Sequence, residues 1–495
     1  MDANESNELS YFPNGICADT GLSVATGNIA ETAARALEVL PPGPAETASN
    51  YEKAARHNQA ELGTVQSVIA QDLKQAGWSI LFSSSTPNWV KDELKTLIDF
   101  RREQTAGLCR VFDGPNAYKE GQSCSEWLAE QGVSLRPVDP HSGVPYYVLI
   151  VGSPDEIPFE FQYLLDTHWG VGRLHFVREG DYLSYSQSVM RYEGGGSRNE
   201  RSVAFFATSH ESDAATNLFC ERVAKEFARG GAGRAPVGNA AGYSVREFFA
   251  ESATKRTLSD LLSGPSNSPV PSLLITGSHG MAFKDDLTIE AKQGAILCQD
   301  WLGWGNPPRR DDWFEADDLD EKACFEGLVW FLFACYGGGT PQFTDFPVCA
   351  GKRERVAPRD MLSKLPQSIL GHRGGGALAV LAHVDKAWAY SFHSRGAGIQ
   401  LQSFRDVFEG ILAGQRIGFA CDQFDYSRAA LSMEFVETVR SKSFGKKISD
   451  QDLASLWIAR NDARNYIVIG DPAVRLLTTG TLNGGNGVDQ ELPRV

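Results

Sequence analysis

Short, nearly continuous apolar runs recur along the chain: 78–82, 146–151, 203–207, 273–275, 328–334, 377–382 and 466–469. Unbroken runs of this kind, as opposed to alternating ones, suit strands buried on both faces of a parallel sheet. Gly172-Arg173-Leu174 opens or closes one more strand. Helical spacing lies between the runs. Leu62, Val65, Ile69 and Leu73 predict a helix that Gly77 closes, and Thr86-Pro87 sets the start of another carrying Val90, Leu94 and Leu97. A helix is predicted around 216–229, and Leu401, Phe404, Phe408 and Ile411 mark one that stops at Gly414. Strand–helix alternation predicts an α/β sandwich with a mostly parallel sheet. Residues 1–60 read as irregular, with one helix and a stop at the PPGPAE stretch. GGGSRNER (194–201) reads as a break between two halves, and the Gly/Asn-rich tail after Gly480 is predicted to be disordered.

The length of 495 residues exceeds one ordinary core and predicts two or three domains or subdomains. A net charge of −15 repels phosphate backbones, so nucleic acid is not an expected partner. The nine cysteines include no CxxC pair, which removes zinc-ribbon and redox-motif readings. Scattered thiols suit a reducing compartment. The opening MDANESNELSYFPNG has no apolar core of a signal peptide, and the run Leu328–Ala334 is too short to span a bilayer. The expectation is a cytoplasmic protein of bacterial type, without a membrane partner.

Two of the apolar runs end in chemically distinctive turns. One is Leu273-Leu274-Ile275-Thr276-Gly277-Ser278-His279-Gly280, the other Leu328 to Phe333 followed by Ala334-Cys335-Tyr336-Gly337-Gly338-Gly339. Ligands of open parallel sheets bind at the carboxyl ends of strands. If these two strands are parallel, His279 and Cys335 emerge on one rim. A free thiol has a pKa near 8.5, so a neighbouring imidazole is needed to take its proton and to return it to a leaving amine. The backbone N–H groups of Gly280 and Cys335 are the candidates for an oxyanion site; Gly280 lets a carbonyl approach closely. Read singly, a histidine after a strand is a structural residue and a cysteine after an apolar run is a small core residue. Gly371-His372-Arg373-Gly374-Gly375-Gly376 precedes a strand, the wrong order for a phosphate loop.

At ITGSHG and LFAC the chain resembles the clan CD cysteine peptidases, the group of caspases, metacaspases, legumains, separases and gingipains. It is most similar to the gingipain family. Tyr146–Gly152 followed by Asp155-Glu156-Ile157-Pro158 resembles that family's strand and Asp-Ile-Pro turn. Asp166-Thr167-His168-Trp169-Gly170 resembles its Asp-x-x-Tyr-Gly segment, Gly172-Arg173-Leu174 its Gly-Arg-Phe, and Val384-Asp385-Lys386-Ala387-Trp388-Ala389 its Ile-Asp-x-x-Trp-Ala. Ile469-Gly470-Asp471-Pro472 matches its terminal Gly-Asp-Pro. These pieces fall in family order over about two-thirds of the chain.

The resemblance implies a caspase-like (caspase-hemoglobinase) three-layer sandwich in two subdomains. The expected division is an N-terminal helical or irregular region (1–77), a first α/β subdomain (78–200), a catalytic subdomain (201–478) and a flexible tail (479–495). It implies a cysteine endopeptidase with a Cys335–His279 dyad, acting on a protein or peptide substrate. Asp166 matches the family's acidic S1 residue and Trp388 its S1 wall, which predicts cleavage after Arg more than Lys; the alternative is that Asp166 caps the following turn. Glu156 stands near the family's His-orienting carboxylate, or is a turn acid. His383 and Asp385 are placed beside the substrate cleft, although His383 is equally readable as a packed strand histidine. Arg309-Arg310 and Arg353/Arg355 are candidate self-processing sites, or solvated charged loops. Regulation as a zymogen, or by an upstream protease or regulator, is expected. No metal or cofactor is expected, and the gingipains' structural calcium is not carried over. The rival reading is a silent binding module on the same fold.

Overall fold

A computed structural model describes residues 13–24, 29–38, 43–56, 59, 61–196, 200–231, 233–263, 270–346, 353–394 and 398–478. The predicted tail after 478 and part of the predicted break at 194–201 lie outside them.

The apolar runs fold into one ten-stranded sheet. In chain order its strands are β1 (Trp78–Phe82), β2 (Cys109–Phe112), β3 (Tyr147–Val151), β4 (Gly170–Leu174), β5 (Glu200–Ala207), β6 (Ser244–Phe249), β7 (Pro271–Gly277), β8 (Val329–Phe333), β9 (Ala379–His383) and β10 (Tyr466–Gly470). Their spatial order is β2-β1-β3-β4-β10-β9-β8-β7-β5-β6. Every residue of β1, β3, β4, β7, β8, β9 and β10 is buried, so helices and loops cover both faces and the sandwich has three layers. The edge strands β2 and β6 are the least buried.

All pairings are parallel except β9–β10. The sheet is therefore two parallel halves of opposite direction, joined at that seam. Their carboxyl rims lie on opposite edges. The strand β10, expected with the second half, runs parallel to β4 and completes the first half. It is fixed there by Asp471, which accepts from Arg101 Nε at 2.7 Å and from the Trp78 indole at 2.9 Å. Arg101 also grips Glu193 at 2.6 and 2.9 Å, and all three charged side chains are buried or nearly so.

The N-terminal region departs from expectation. Among the described residues two helices form before residue 60, Ile29–Glu38 and Pro44–Ala55, where one was expected. Pro44 begins the second helix, where a missing N–H costs nothing, so the PPGPAE stretch is a start as well as a stop. The helix expected over 62–73 shrinks to Leu73–Ala76, capped by Asp72. Its preceding residues pair sideways instead: Val65 N–H donates to Val138 and Val138 N–H to Gly63. Ile69, half-exposed, joins no core. The region is built into the C-terminal part of the chain, not set apart from it. Ala33 and Ala36 pack with Phe435, Leu453 and Trp457 of the long helices Asp422–Ser443 and Asp450–Arg464, and Lys53 forms a buried 2.7 Å ion pair with Asp422.

A small four-stranded sheet lies over the carboxyl rim of the second half. Its members are Gly15–Cys17, Gly280–Ala282, Ile296–Leu297 and Trp313–Phe314, in that order. Ile16, Met281, Leu297, Trp301 and Trp313 form its core. Among the described residues no helix is long and apolar enough to cross a membrane.

Candidate active site

The registers of β7 and β8 bring the two distinctive turns together. Gly277 is paired with Phe333, and His279 and Cys335 each follow two residues later. The backbones touch here: a Cβ at Gly280 would lie 1.9 Å from the Cys335 carbonyl oxygen. Only glycine fits, and this close approach puts the N–H groups of residues 280 and 335 side by side. Both donate to one acceptor, the Asn14 carbonyl oxygen, at 2.8 and 2.9 Å. A pair of backbone donors converging on one peptide carbonyl is the arrangement an acyl-transfer oxyanion needs.

His279 is fully buried. Its Nε2 meets the Asp213 carboxylate at 2.5 Å, and its Nδ1 has no hydrogen-bond partner among the described residues. Its ring sits edge-on to Trp304, 5.8 Å between centroids. Asp213 precedes the helix Ala214–Leu218, accepts from Ala215 N–H at 3.1 Å and from the Thr216 hydroxyl at 2.8 Å, and so is held rigidly. Burial pushes the Asp213 carboxyl up. The charge of His279 and the bonds from His279 and Thr216 outweigh it and hold the carboxyl below the usual range. The sequence reading missed Asp213. The signal available was an Asp one turn beyond a strand on the same half-sheet, followed by a small-residue helix start.

Cys335 is fully buried, and burial pushes its thiol far up. Its Sγ accepts from Ala387 N–H at 3.2 Å. The next residue, Tyr336, has φ +61° and donates its N–H to the carbonyl of Asp385, itself at φ +63°, at 2.7 Å. Two non-glycine residues in the left-handed region, bonded to each other beside the thiol, mark a strained loop of the kind found at functional sites.

The remaining expected site residues take other places. Glu156 caps its own turn on the opposite carboxyl rim, accepting from Ser153 N–H at 3.0 Å, and it is Asp213 that bonds His279. His383 is a packed strand histidine, fully buried with Nε2 on Asp462 at 2.9 Å. Asp385 braces the loop by accepting from the Thr344 hydroxyl at 2.7 Å. Trp388 is buried against Phe346 and takes an antiparallel bridge from Pro13. Asp166 ends the helix Phe159–Leu165. Its carboxyl is raised well above the usual range by burial and by Asp425, while Arg428 and Arg173 pull against them. Near Cys335 the Lys386 cation acts against the charges of Asp385 and Asp462. Arg309 pairs with Asp312, Arg310 with Asp318, and Arg355 with Asp286; Arg353 lies over Phe343.

These features define a class: an α/β sandwich with a cysteine and a carboxylate-held histidine at adjacent strand ends, beside two convergent backbone donors. In fold the chain resembles the gingipains. The crystal structure of the Arg-specific cysteine proteinase gingipain R (RgpB) aligns with a TM-score of 0.46 and 13% identity, over 82% of this chain and 79% of that one. A structure described as a protease gives 0.46 and 13% over 82% and 80%. The complex of the RgpB pro- and mature domains from Porphyromonas gingivalis gives 0.42 and 12% over 81% and 80%. No protein-family model matches the chain, and no curated protein is significantly similar to it.

Proposed function

We propose that the protein is a cysteine endopeptidase whose nucleophile is Cys335 and whose general base and acid is His279. The observation that carries this reading is the convergence of the Gly280 and Cys335 N–H groups on a single peptide carbonyl, 2.8 and 2.9 Å away. With a substrate carbonyl in that position, Cys335 Sγ attacks its carbon and the thiol proton passes to His279 Nδ1. Asp213 on Nε2 stabilises the imidazolium that results. The two N–H groups hold the oxyanion. Collapse breaks the C–N bond, His279 returns the proton to the leaving amine, and water hydrolyses the thioester.

The finer reading is cleavage after a basic residue, Arg over Lys, beside the Trp388 ring. What supports it is the match of Asp166 and Trp388 to the acidic and aromatic positions named above, although the Asp166 carboxyl is raised by burial and by Asp425 and faces Arg428 and Arg173 within the protein. Control by segment removal, or by a regulator, suits a thiol with no exposed surface. Fluorogenic peptides with Arg, Lys, Asn or Asp before the scissile bond test both parts. Turnover lost in Cys335→Ala and in His279→Ala, with Arg preferred, is the expected result. No turnover of any peptide by an enzyme with an accessible Cys335 would leave a silent binding module. A preference for Asp would remove the basic pocket.

A further inference from the structure

The acceptor of the two oxyanion donors belongs to the protein itself, and the segment around it runs through the site as a peptide would. Asn14 N–H donates to the Ala387 carbonyl at 2.8 Å, and Pro13 bridges Trp388 in antiparallel fashion. On the other side of the Asn14 carbonyl, Gly15, Ile16 and Cys17 pair in parallel with Gly280, Met281 and Ala282. The peptide bond between Asn14 and Gly15 thus lies at the thiol: a Cβ at Gly15 would stand 2.9 Å from Cys335 Sγ and 2.7 Å from Val24. Only glycine lets the segment approach so closely. Ile16 anchors it, wholly buried among Met281, Leu297 and Trp301, and Val24 N–H returns to bond the Gly15 carbonyl at 3.0 Å. Asn14 is 1% exposed, yet neither its amide oxygen nor its nitrogen has a partner among the described residues. It fills space at the position of the residue before the scissile bond without being recognised there.

We propose that residues 13–17 are an intramolecular pseudosubstrate. They close the active site by seating Asn14 where a substrate's P1 residue goes, and withdrawal of this segment activates the enzyme. The inference rests on the peptidase reading above for the word substrate, but not for the closure itself. It also assigns the groove: non-primed residues run antiparallel along Ala387–Trp388, and primed residues run parallel along Gly280–Ala282. The tether keeps the segment at a high effective concentration. A true substrate must therefore offer what Asn14 lacks, a side chain that bonds within its pocket. The unpaired amide makes the plug a poor occupant that a better one displaces.

Two variants of the full chain test this through the rate at which iodoacetamide modifies Cys335, read by peptide mass mapping. Ile16→Asp removes the anchor. Ala282→Cys adds a thiol opposite Cys17, in strand register at a separation suited to a disulfide, so that oxidation locks the segment in place and dithiothreitol frees it. In Ile16→Asp the closed state no longer taxes access, so Cys335 labelling rises on the order of tenfold or more, and peptide turnover rises with it. The oxidised Ala282→Cys lock slows labelling below the wild-type rate, reversibly. Faster labelling without turnover of any peptide would keep the plug and remove the peptidase reading. Labelling unchanged in a folded Ile16→Asp (near-ultraviolet circular dichroism as for wild type), or unchanged between the locked and reduced forms, would overturn the plug. If Ile16→Asp does not fold, the lock decides alone.

Discussion

The two carboxyl rims of the sheet are built alike and used differently. On the first half, the protein satisfies its own strand ends. Arg173, fully buried, donates to the carbonyls of Gly152 and Pro158 at 3.1 and 3.3 Å and to Gln162 at 2.8 Å, while Glu156 takes the Ser153 N–H. On the second half, the N–H groups of Gly280 and Cys335 find no partner in their own turns. They are met by a carbonyl from residue 14, far away in sequence, and His279 Nδ1 meets no hydrogen-bond partner among the described residues. Parallel sheets offer ligand sites wherever strands end. Which rim becomes a site depends on where backbone donors are left for a second peptide.

Substitutions test this contrast, and the largest effects belong to the rim of His279 and Cys335. Cys335→Ala or His279→Ala should lower kcat/KM by on the order of 10³-fold or more, the loss expected when residues that act as a unit are broken. Asp213→Asn should lower kcat by about 10²-fold with little change in KM, because it orients His279 and does not touch substrate. Its counterpart on the quiet rim, Glu156→Gln, should leave kcat within about twofold, as for a surface turn residue. Asn14→Arg should convert the plug into a substrate: intact mass would show loss of residues 1–14, and Cys335→Ala would prevent it. Uncut Asn14→Arg protein would sever the link between the seated segment and the basic preference.

The first half matters for stability. Arg101→Met leaves Glu193 and Asp471 buried without their cation and should cost about 3–5 kcal/mol in urea unfolding, with kcat unchanged while the chain is folded. The pH dependence has a fixed sign. Burial raises Glu193, but Arg101 overcomes it and the carboxyl ends below the usual range; Asp213 does likewise through His279. Groups whose folded pKa is depressed stabilise fully above the unfolded carboxylate range, near 4, and lose that stabilisation as pH falls through the folded value. Acid unfolding should therefore begin below about pH 4. Arg101→Met should flatten this dependence, because Glu193 is then no longer held down.

Much of this architecture was legible in the apolar runs. All seven became strands of the sheet, because full burial on both faces demands continuous hydrophobicity, and strand ends carrying His-Gly and Ala-Cys could be read without coordinates. The edge strands β2 and β6 were not legible, since half-exposed strands such as CRVF and SVREFF carry mixed polarity. The reversal at β9–β10 left no local trace either: direction is set by a distant anchor, the Arg101–Asp471 pair, not by the strand's own residues. Asp213 and Asn14 escaped for a related reason. Each acts through contacts across many residues of sequence, and neither lies in an apolar pattern. Helical spacing at 62–73 misled because Gly63 and Val65 give their backbone groups to Val138.

Acyl transfer at the rim carrying His279 and Cys335 is the proposal on which the rest depends. It is tested most directly by incubating the Ile16→Asp protein with an arginyl chloromethyl ketone peptide and mapping the adduct by mass spectrometry. One adduct is expected, on Cys335 among the nine cysteines, formed far more slowly in the same protein carrying His279→Ala. Modification of the exposed Cys324 with Cys335 untouched, or a Cys335 rate indifferent to His279, would contradict it.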